Sequence, residues 1–143
     1  MEFHRANNSN RKELESKLSN LQDMCDYFRP MNSWLRGHLD KASDIIIAKD
    51  KDRLYGYIIL DKYPTHDEPT HLELELICVG KEGQGKGVGT GLMKQAELVA
   101  KKYGLKEIAL DAQFQAEGFY KKLNYKEVSR NNQGVRMKKI LKG

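Results

Sequence analysis

Residues 72–98 read LELELICVGKEGQGKGVGTGLMKQAEL and contain three patterns in succession. From Leu72 to Val79, leucines alternate with glutamates and then with other residues, which is the period of two of a half-buried strand. From Thr90 to Val99, apolar residues recur at helical spacing. Between these two segments, six glycines stand among the residues 80–91. The stretch therefore predicts a strand, a glycine-rich loop and a helix.

The glycine-rich loop is placed to bind an anion. A helix leaves its first N–H groups without intrahelical partners, and they lie at the positive end of the helix dipole. Gly85, Gly87 and Gly89 lead into the predicted helix, so a ligand can approach the backbone closely there. Phosphate is the usual ligand of such a loop, and we expect one here.

Three phosphate-binding patterns can be compared with this loop. The P-loop pattern G-x-x-x-x-G-K-[ST] matches Gly80–Lys86, but Gly87 stands where a magnesium-binding hydroxyl is required. The dinucleotide pattern G-x-G-x-x-G fails in every register. The pattern [QR]-x-x-G-x-[GA] fits Gln84–Gly89 completely.

A second motif lies about thirty residues further along the chain. Residues 116–125 read AEGFYKKLNY and fit A-x-x-F-Y-x-K-x-G-[FY], with Asn124 in place of the glycine. Asn tolerates positive φ best after Gly, so the turn that ends the helix is kept. Together with the preceding strand end Ile77–Val79, these motifs resemble the GNAT superfamily of N-acetyltransferases. The resemblance covers roughly residues 44–141.

The resemblance and the residue patterns imply an α+β fold. It has a mixed, mostly antiparallel sheet with splayed central strands and flanking helices, in the order β-α-α-β-β-β-α-β-α-β-β. We expect one domain over residues 1–143. The patterns predict strands at 2–6, 44–48, 53–60, 72–79, 106–112, 125–128 and 134–141, and helices at 10–28, 34–39, 90–103 and 115–123. Gly56, inside a strand, indicates a bulge or a close backbone approach.

The resemblance implies acetyl-CoA as the cofactor. Backbone N–H groups from Gly85 to Thr90 would bind its pyrophosphate. The pantetheine arm would lie along the open edge of the splayed strands, and an N–H near Val79 would stabilise the thioester oxygen. The expected cofactor-binding residues are Ile77, Cys78, Val79, Gln84, Gly85, Lys86, Gly87, Val88, Gly89, Thr90, Gln113, Phe119 and Lys122.

Acetyl transfer to an amine also needs a base and an acid. The resemblance implies Tyr120 as the acid that protonates the leaving thiolate, since phenols and thiols have comparable acidity. It implies Glu75 as the base, directly or through water, with Glu73 on the same strand face as the reserve candidate. Both glutamates could instead be ordinary solvent-facing charges on an alternating strand. Cys78 lacks a marked histidine partner, so we expect a small buried thiol there and not a nucleophile.

The acceptor remains open between three alternatives. A small-molecule primary amine such as a polyamine is favoured by the short chain and by acidic residues that include Asp67 and Glu68. A protein acetyltransferase acting on lysine or on an N-terminus is the second alternative. The third is a non-catalytic module that only binds acyl-CoA.

Composition excludes several other classes of function. The net charge is +5, but basic and acidic residues are interspersed, so we expect no nucleic-acid partner. No apolar run approaches the length of a membrane span, so no membrane partner is expected. Cys25 and Cys78 lack metal-site spacing, which predicts no metal, reduced thiols and a cytoplasmic protein. A homodimer is one open alternative for its assembly.

Overall fold

The computed structural model describes residues 1–5, 37 and 44–142. The helices predicted between residues 10 and 39 lie outside the described residues, apart from Gly37, which is helical. The strands are β1 (Glu2–Arg5), β2 (Asp44–Asp50), β3 (Arg53–Tyr63), β4 (His71–Val79), β5 (Glu107–Ala112), β6 (Lys126–Arg130) and β7 (Val135–Ile140). The α-helices of the described part are α1 (Val88–Lys102) and α2 (Glu117–Lys122), and short 3-10 helices occupy Lys81–Gly83 and Phe114–Ala116.

The seven strands form one mixed sheet in the order β1-β2-β3-β4-β5-β7-β6. The pairs β1–β2, β2–β3, β5–β7 and β6–β7 are antiparallel, and β4 pairs with β5 in parallel. The parallel ladder joins Leu72–Leu74 to Ile108–Leu110 and is only three residues long. These features confirm the predicted α+β fold with a mixed, mostly antiparallel sheet.

One boundary differs from its prediction. The strand predicted at residues 53–60 ends before Asp61, but β3 continues to Tyr63. Asp61 is buried, and its Oδ1 lies 2.7 Å from Nε2 of His66. The buried polar side chain therefore has a hydrogen-bonding partner within the strand region. The polarity of the sequence alone does not predict this partner.

By its internal contacts the chain divides into two compact units, and the first comprises Met1–Leu60 and Leu76–Gln95. Its core includes both faces of the β2–β3 hairpin and the buried side of the first half of α1, with Leu92 and Met93 fully buried. Helix α1 contains Gly91 because the Phe3 ring of β1 lies against it, and an added Cβ would overlap that ring. A glycine that is unfavourable for helix propensity thus permits close packing.

Gly56 of β3 also belongs to the first unit, and a close approach was predicted for it. A Cβ added there would lie 2.8 Å from the carbonyl oxygen of Cys78 and 3.2 Å from Cγ1 of Val88. The β2–β3 register shifts beside it, between Ala48 and Lys49. Both parts of the prediction, the bulge and the close approach, are confirmed.

The second unit comprises Asp61–Glu75 and Ala96–Gly143. Its core is built from β4, β5, β7, the second half of α1 and the region around α2, with Leu72, Ile108, Leu110 and Met137 fully buried. Asn124 has φ 72°, which confirms the predicted left-handed turn after α2. Neither described helix is long and apolar enough to cross a membrane.

Candidate active site

The glycine loop, defined here as residues 84–90, belongs to the first unit and is open to solvent. Its residues are exposed from Gln84 to Gly87. Gly85 and Gly87 have φ of 76° and 78°, a conformation that glycine adopts without strain. The loop is therefore not packed shut, and its glycines are needed for its path.

The first turn of α1 supplies the N–H groups that the sequence analysis expected. The helix begins at Val88, and the first bond that closes onto the loop runs from Gly91 N to Gly87 O at 2.9 Å. The N–H groups of Val88, Gly89 and Thr90 precede that bond and have no carbonyl one turn earlier in the helix. Because Gly89 and Thr90 are only half-buried, this helix end can bind an anion.

Two side chains of the loop were predicted to add donors. Lys86 is exposed, and its ammonium nitrogen lies 5.8 Å from the centre of the Tyr55 ring. Gln84 is also exposed, and its amide donates to the carbonyl oxygen of Val79 at 3.4 Å. Lys86 thus places a positive charge on the exposed loop, while the Gln84 amide has a partner within the protein.

The end of β4 leads into this loop. Ile77 and Val79 are half-buried, and Gly80 N donates to Tyr55 O at 2.9 Å. Cys78 is buried and carries a disulfide bond. The prediction of a reduced thiol is therefore wrong for Cys78, and the cysteines no longer favour a cytoplasmic protein. A disulfide sulfur has no thiolate to offer, which removes Cys78 as a nucleophile.

Glu75 belongs to the second unit and is half-buried on β4. The Glu75 carboxylate raises the pKa of the Tyr63 phenol, and burial and the carboxylates of Glu73 and Asp61 raise it further. The Oε1 atom of Glu75 is buried and has no hydrogen-bond partner among the described residues. A buried carboxylate oxygen in this state is ready to accept a proton or a hydrogen bond.

Glu73 lies two residues earlier on β4 and has a different environment. It is 7% exposed, and its carboxylate binds both terminal nitrogens of Arg136, Nη1 to Oε2 at 2.5 Å and Nη2 to Oε1 at 2.9 Å. Nε2 of His71 lies 2.9 Å from the same Oε1. Both oxygens of this carboxylate have partners, and Arg136 balances its charge. The structure thus distinguishes Glu73 from Glu75, which the sequence left as alternatives.

Tyr120 lies on α2 and is 4% exposed. Its ring packs edge-on against those of Phe119 and Tyr125, with centroids 5.1 and 5.9 Å away. Burial raises the pKa of Tyr120 to about 12. The phenol is thus protonated throughout the neutral range and can donate, although it is a weaker acid than the sequence analysis assumed.

The three remaining predicted cofactor residues also lie in the second unit. Gln113 is half-buried at the end of β5, and its carbonyl accepts from Ala116 N at 2.9 Å. Phe119 is half-buried beside Tyr120, while Lys122 is exposed at the end of α2. Phe119 and Lys122 belong to α2, and Gln113 lies four residues before it.

Tyr63 and Arg136 were missed by the sequence analysis. Arg136 stands between buried Val135 and Met137 on β7, so its place on the opposite face of the strand was readable. Its partner is 63 residues away, and no local pattern names it. Tyr63 was missed because it lies beyond the end of the strand predicted at residues 53–60, among polar residues.

The sequence and the fold were compared with known proteins. A model of the Acetyltransferase (GNAT) family matches residues 7–125. None of the curated proteins is similar enough in sequence to match this chain. Three solved structures serve as examples of the fold.

The first is aminoglycoside 6'-N-acetyltransferase complexed with coenzyme A, at 19% identity and TM-score 0.82, covering 100% of this chain and 98% of that one. The second is the paia N-acetyltransferase of Thermoplasma acidophilum in complex with coenzyme A, at 19% identity and TM-score 0.73, covering 98% and 99%. The third is ribosomal-protein-alanine N-acetyltransferase of Brucella melitensis, at 14% identity and TM-score 0.67, covering 99% and 100%. At these identities the likeness establishes the fold.

Proposed function

Because the chain belongs to the GNAT family of acetyltransferases, we propose that it transfers an acetyl group from acetyl-CoA to a small-molecule primary amine, such as a polyamine. Glu75 is the base of this reaction and Tyr120 the acid. The single observation that carries the proposal is the buried Oε1 of Glu75, which has no hydrogen-bond partner in the described part of the chain and lies on the strand that leads into the glycine loop.

The glycine loop fits the diphosphate of acetyl-CoA. Gly85 and Gly87 in its exposed backbone have positive φ, and the three N–H groups at the start of α1 are available to bind an anion. Lys86 and Gln84 add a charge and an amide, and the backbone around Val79 supplies the N–H for the thioester oxygen. When bound, acetyl-CoA supplies the activated acetyl group as a thioester.

Glu75 performs the proton transfer that the amine requires. An alkylamine has a pKa near 10, so it arrives as an ammonium ion that cannot attack a carbonyl. Oε1 of Glu75 accepts one of its protons, directly or through one water. The nitrogen then forms a bond to the thioester carbonyl carbon as the carbon–sulfur bond breaks, and the second proton that it loses on becoming an amide passes to water.

Tyr120 completes the proton balance by donating its phenolic proton to the departing thiolate. Its buried ring is held by two aromatic neighbours, so the hydroxyl is fixed relative to α2. With a pKa of about 12 the phenol remains protonated until that step. The phenolate that results recovers its proton from water after the products leave.

A small amine is preferred over a protein acceptor on grounds of charge. Asp67 and Glu68 are exposed on the loop before β4, and no ion pair neutralises the Glu75 carboxylate among the residues that the structure describes, so a cation is attracted. Among the structural relatives, one is named for an aminoglycoside and another for a ribosomal protein, so the fold admits both kinds of acceptor.

A panel experiment tests the proposal. Purified protein and acetyl-CoA are combined with polyamines, an aminoglycoside, a lysine-containing peptide and a peptide with a free N-terminus, and thiol release is followed. We expect thiol release above hydrolysis with a polyamine, and an acetylated amine by mass spectrometry. Turnover with the peptides but with no small amine would show that the acceptor is a protein. Binding of CoA without turnover of any amine would overturn the enzymatic proposal.

A further inference from the structure

The chain that enters the glycine loop rests on the first residues of β3, within the same compact unit. Gly80 N donates to the carbonyl oxygen of Tyr55 at 2.9 Å. Gly83 is buried against the same oxygen, and a Cβ added to it would lie 3.1 Å away. The main chain of Tyr55 therefore fixes the path by which β4 reaches the loop.

The side chain of Tyr55 contacts the glycine loop through Lys86. The backbone N–H of Lys86 donates to the carbonyl oxygen of Gly83 at 3.3 Å, so the main chain places this lysine relative to Tyr55. Its ammonium nitrogen lies over the Tyr55 ring, 5.8 Å from the ring centre. A cation within about 6 Å of an aromatic ring centre is attracted by the charge distribution of the ring face. One residue of β3 thus holds both the entry of the loop and its cationic side chain.

This contact holds the Lys86 ammonium without cancelling its charge. The Tyr55 ring is neutral, whereas a carboxylate would form an ion pair with the lysine. The acidic residue of the preceding 3-10 helix, Glu82, pairs with Arg53 at 3.0 Å. Because Lys86 is exposed and Tyr55 only half-buried, an anion can reach the ammonium while it lies over the ring.

We infer that Tyr55 is a positioning residue for cofactor binding, whose ring holds the Lys86 ammonium on the glycine loop before the diphosphate of CoA arrives. The inference rests on the proposed function of that loop. It assigns Tyr55 no contact with the cofactor. Without the ring the lysine side chain samples more rotamers, and the diphosphate has to order it on binding.

The binding test measures the dissociation constant for CoA by calorimetry, without an amine. We expect Tyr55→Leu to raise it about two- to fivefold, while Tyr55→Phe keeps the aromatic face and a value near that of the wild type. In a Lys86→Gln background, Tyr55→Leu should have no further effect, because the cation that the ring holds is gone. Equal losses in both backgrounds would identify a merely structural role and overturn the inference.

Tyr103→Leu is the matched control for Tyr55→Leu. Nζ of Lys62 lies 4.4 Å from the centre of the Tyr103 ring, and both residues belong to the second unit. Loss of this aromatic face should leave the affinity for CoA unchanged. A loss of affinity equal to that of Tyr55→Leu would trace the effect to general destabilisation and overturn the inference.

An NMR readout without ligand separates this inference from the proposed function. In spectra of protein with isotope-labelled lysine, the Lys86 signal is assigned through Lys86→Gln. An aromatic ring shields nuclei above its face, so we expect the ε-methylene signal of Lys86 to move downfield in Tyr55→Leu and to stay in place in Tyr55→Phe. If Tyr55→Leu does not fold, Lys86→Gln should instead move the ring signal of labelled Tyr55.

The outcomes of this readout are distinct. Unmoved signals overturn the contact between Tyr55 and Lys86, even in a protein that binds CoA. Moved signals in a wild-type protein that binds no CoA overturn the proposed function, and the role of Tyr55 with it.

Discussion

Both terminal nitrogens of Arg136 bind the carboxylate of Glu73, at 2.5 and 2.9 Å. The pair joins β7 to β4 in the second unit and is supplemented by His71. Arg136 also lies 3.4 Å from Asp111 on β5. The effect of Glu73 on its guanidinium raises the pKa of Arg136 further above its usual range. Glu73 is thus held in a structural ion pair, and the proposed function assigns the role of base to Glu75.

Removing one member of the Glu73–Arg136 pair is expected to destabilise the fold. Arg136→Leu leaves the buried carboxylate of Glu73 without its guanidinium, and we expect a loss of about 2–4 kcal/mol in the free energy of unfolding. The double variant Glu73→Leu with Arg136→Leu should recover most of that loss. Urea unfolding measures each value.

Arg130→Leu is the matched control for that experiment. The ion pairs of Arg130 with Glu127 and Glu117 lie at the surface, so their loss should cost much less than the loss of the Glu73–Arg136 pair. A loss in Arg136→Leu as small as in the control would contradict the structural role of the pair.

Because Gly91 packs closely against Phe3, a larger residue at position 91 should destabilise the fold. Gly91→Ala places a methyl group into the Phe3 ring and should destabilise the protein by about 1–3 kcal/mol, although alanine favours helices. Phe3→Ala should make Gly91→Ala harmless or favourable when the two are combined. Thermal unfolding measures both effects.

Gly118→Ala provides the control for the Gly91 experiment. Gly118 lies in α2 with open space where its Cβ would be, so alanine should stabilise by up to about 1 kcal/mol. Destabilisation of similar size at both glycines would show that contact with Phe3 is not the cause.

The positive φ of Gly87 predicts a loss of cofactor binding. Gly87→Ala strains the loop by about 1–2 kcal/mol and displaces the N–H groups at the start of α1. We expect the dissociation constant for CoA, measured by calorimetry, to rise at least about tenfold.

Gly104→Ala introduces the same backbone strain outside the glycine loop, since Gly104 has φ of 71° after α1. It should lower stability by a similar amount and leave CoA affinity unchanged. If both substitutions weaken CoA binding equally, strain and not the loop accounts for the effect.

The raised pKa of the buried Tyr120 phenol should make the protein less stable at alkaline pH. Its pKa rises from about 10 in the unfolded chain to about 12 in the fold, so the unfolded state loses its proton first. The free energy of unfolding therefore falls between about pH 10 and 12, with Tyr120 contributing up to about 1.4 kcal/mol per pH unit. Tyr120→Phe should have a shallower slope over this window, and an unchanged slope would show that the phenol is not buried.

The strand, loop and helix at residues 72–98 were predictable because each has a local signature. Alternation marks β4, glycine marks the loop and helical spacing marks α1. The left-handed turn at Asn124 followed from its place in a motif. These features depend on neighbours in sequence, and the structure confirms them.

The electrostatic arrangement was not predictable in the same way. Glu73 and Glu75 are equivalent in the sequence pattern, and only a partner on a distant strand distinguishes them. Asp61 and Tyr63 belong to β3, where Asp61 pairs with His66. The polarity of Asp61 does not reveal this partner, so the predicted strand ended too early. Cys78 likewise carries a disulfide that spacing did not indicate.

The most direct test of the central claim compares wild-type protein with Glu75→Gln and Glu73→Gln, using acetyl-CoA and the best amine from the panel. We predict that Glu75→Gln lowers kcat by about 10²–10⁴-fold while CoA binds with unchanged affinity. Glu73→Gln, once corrected for its folded fraction, should retain most of the activity. Full activity in Glu75→Gln, or equal losses in the two variants, would contradict the assignment of Glu75 as the base.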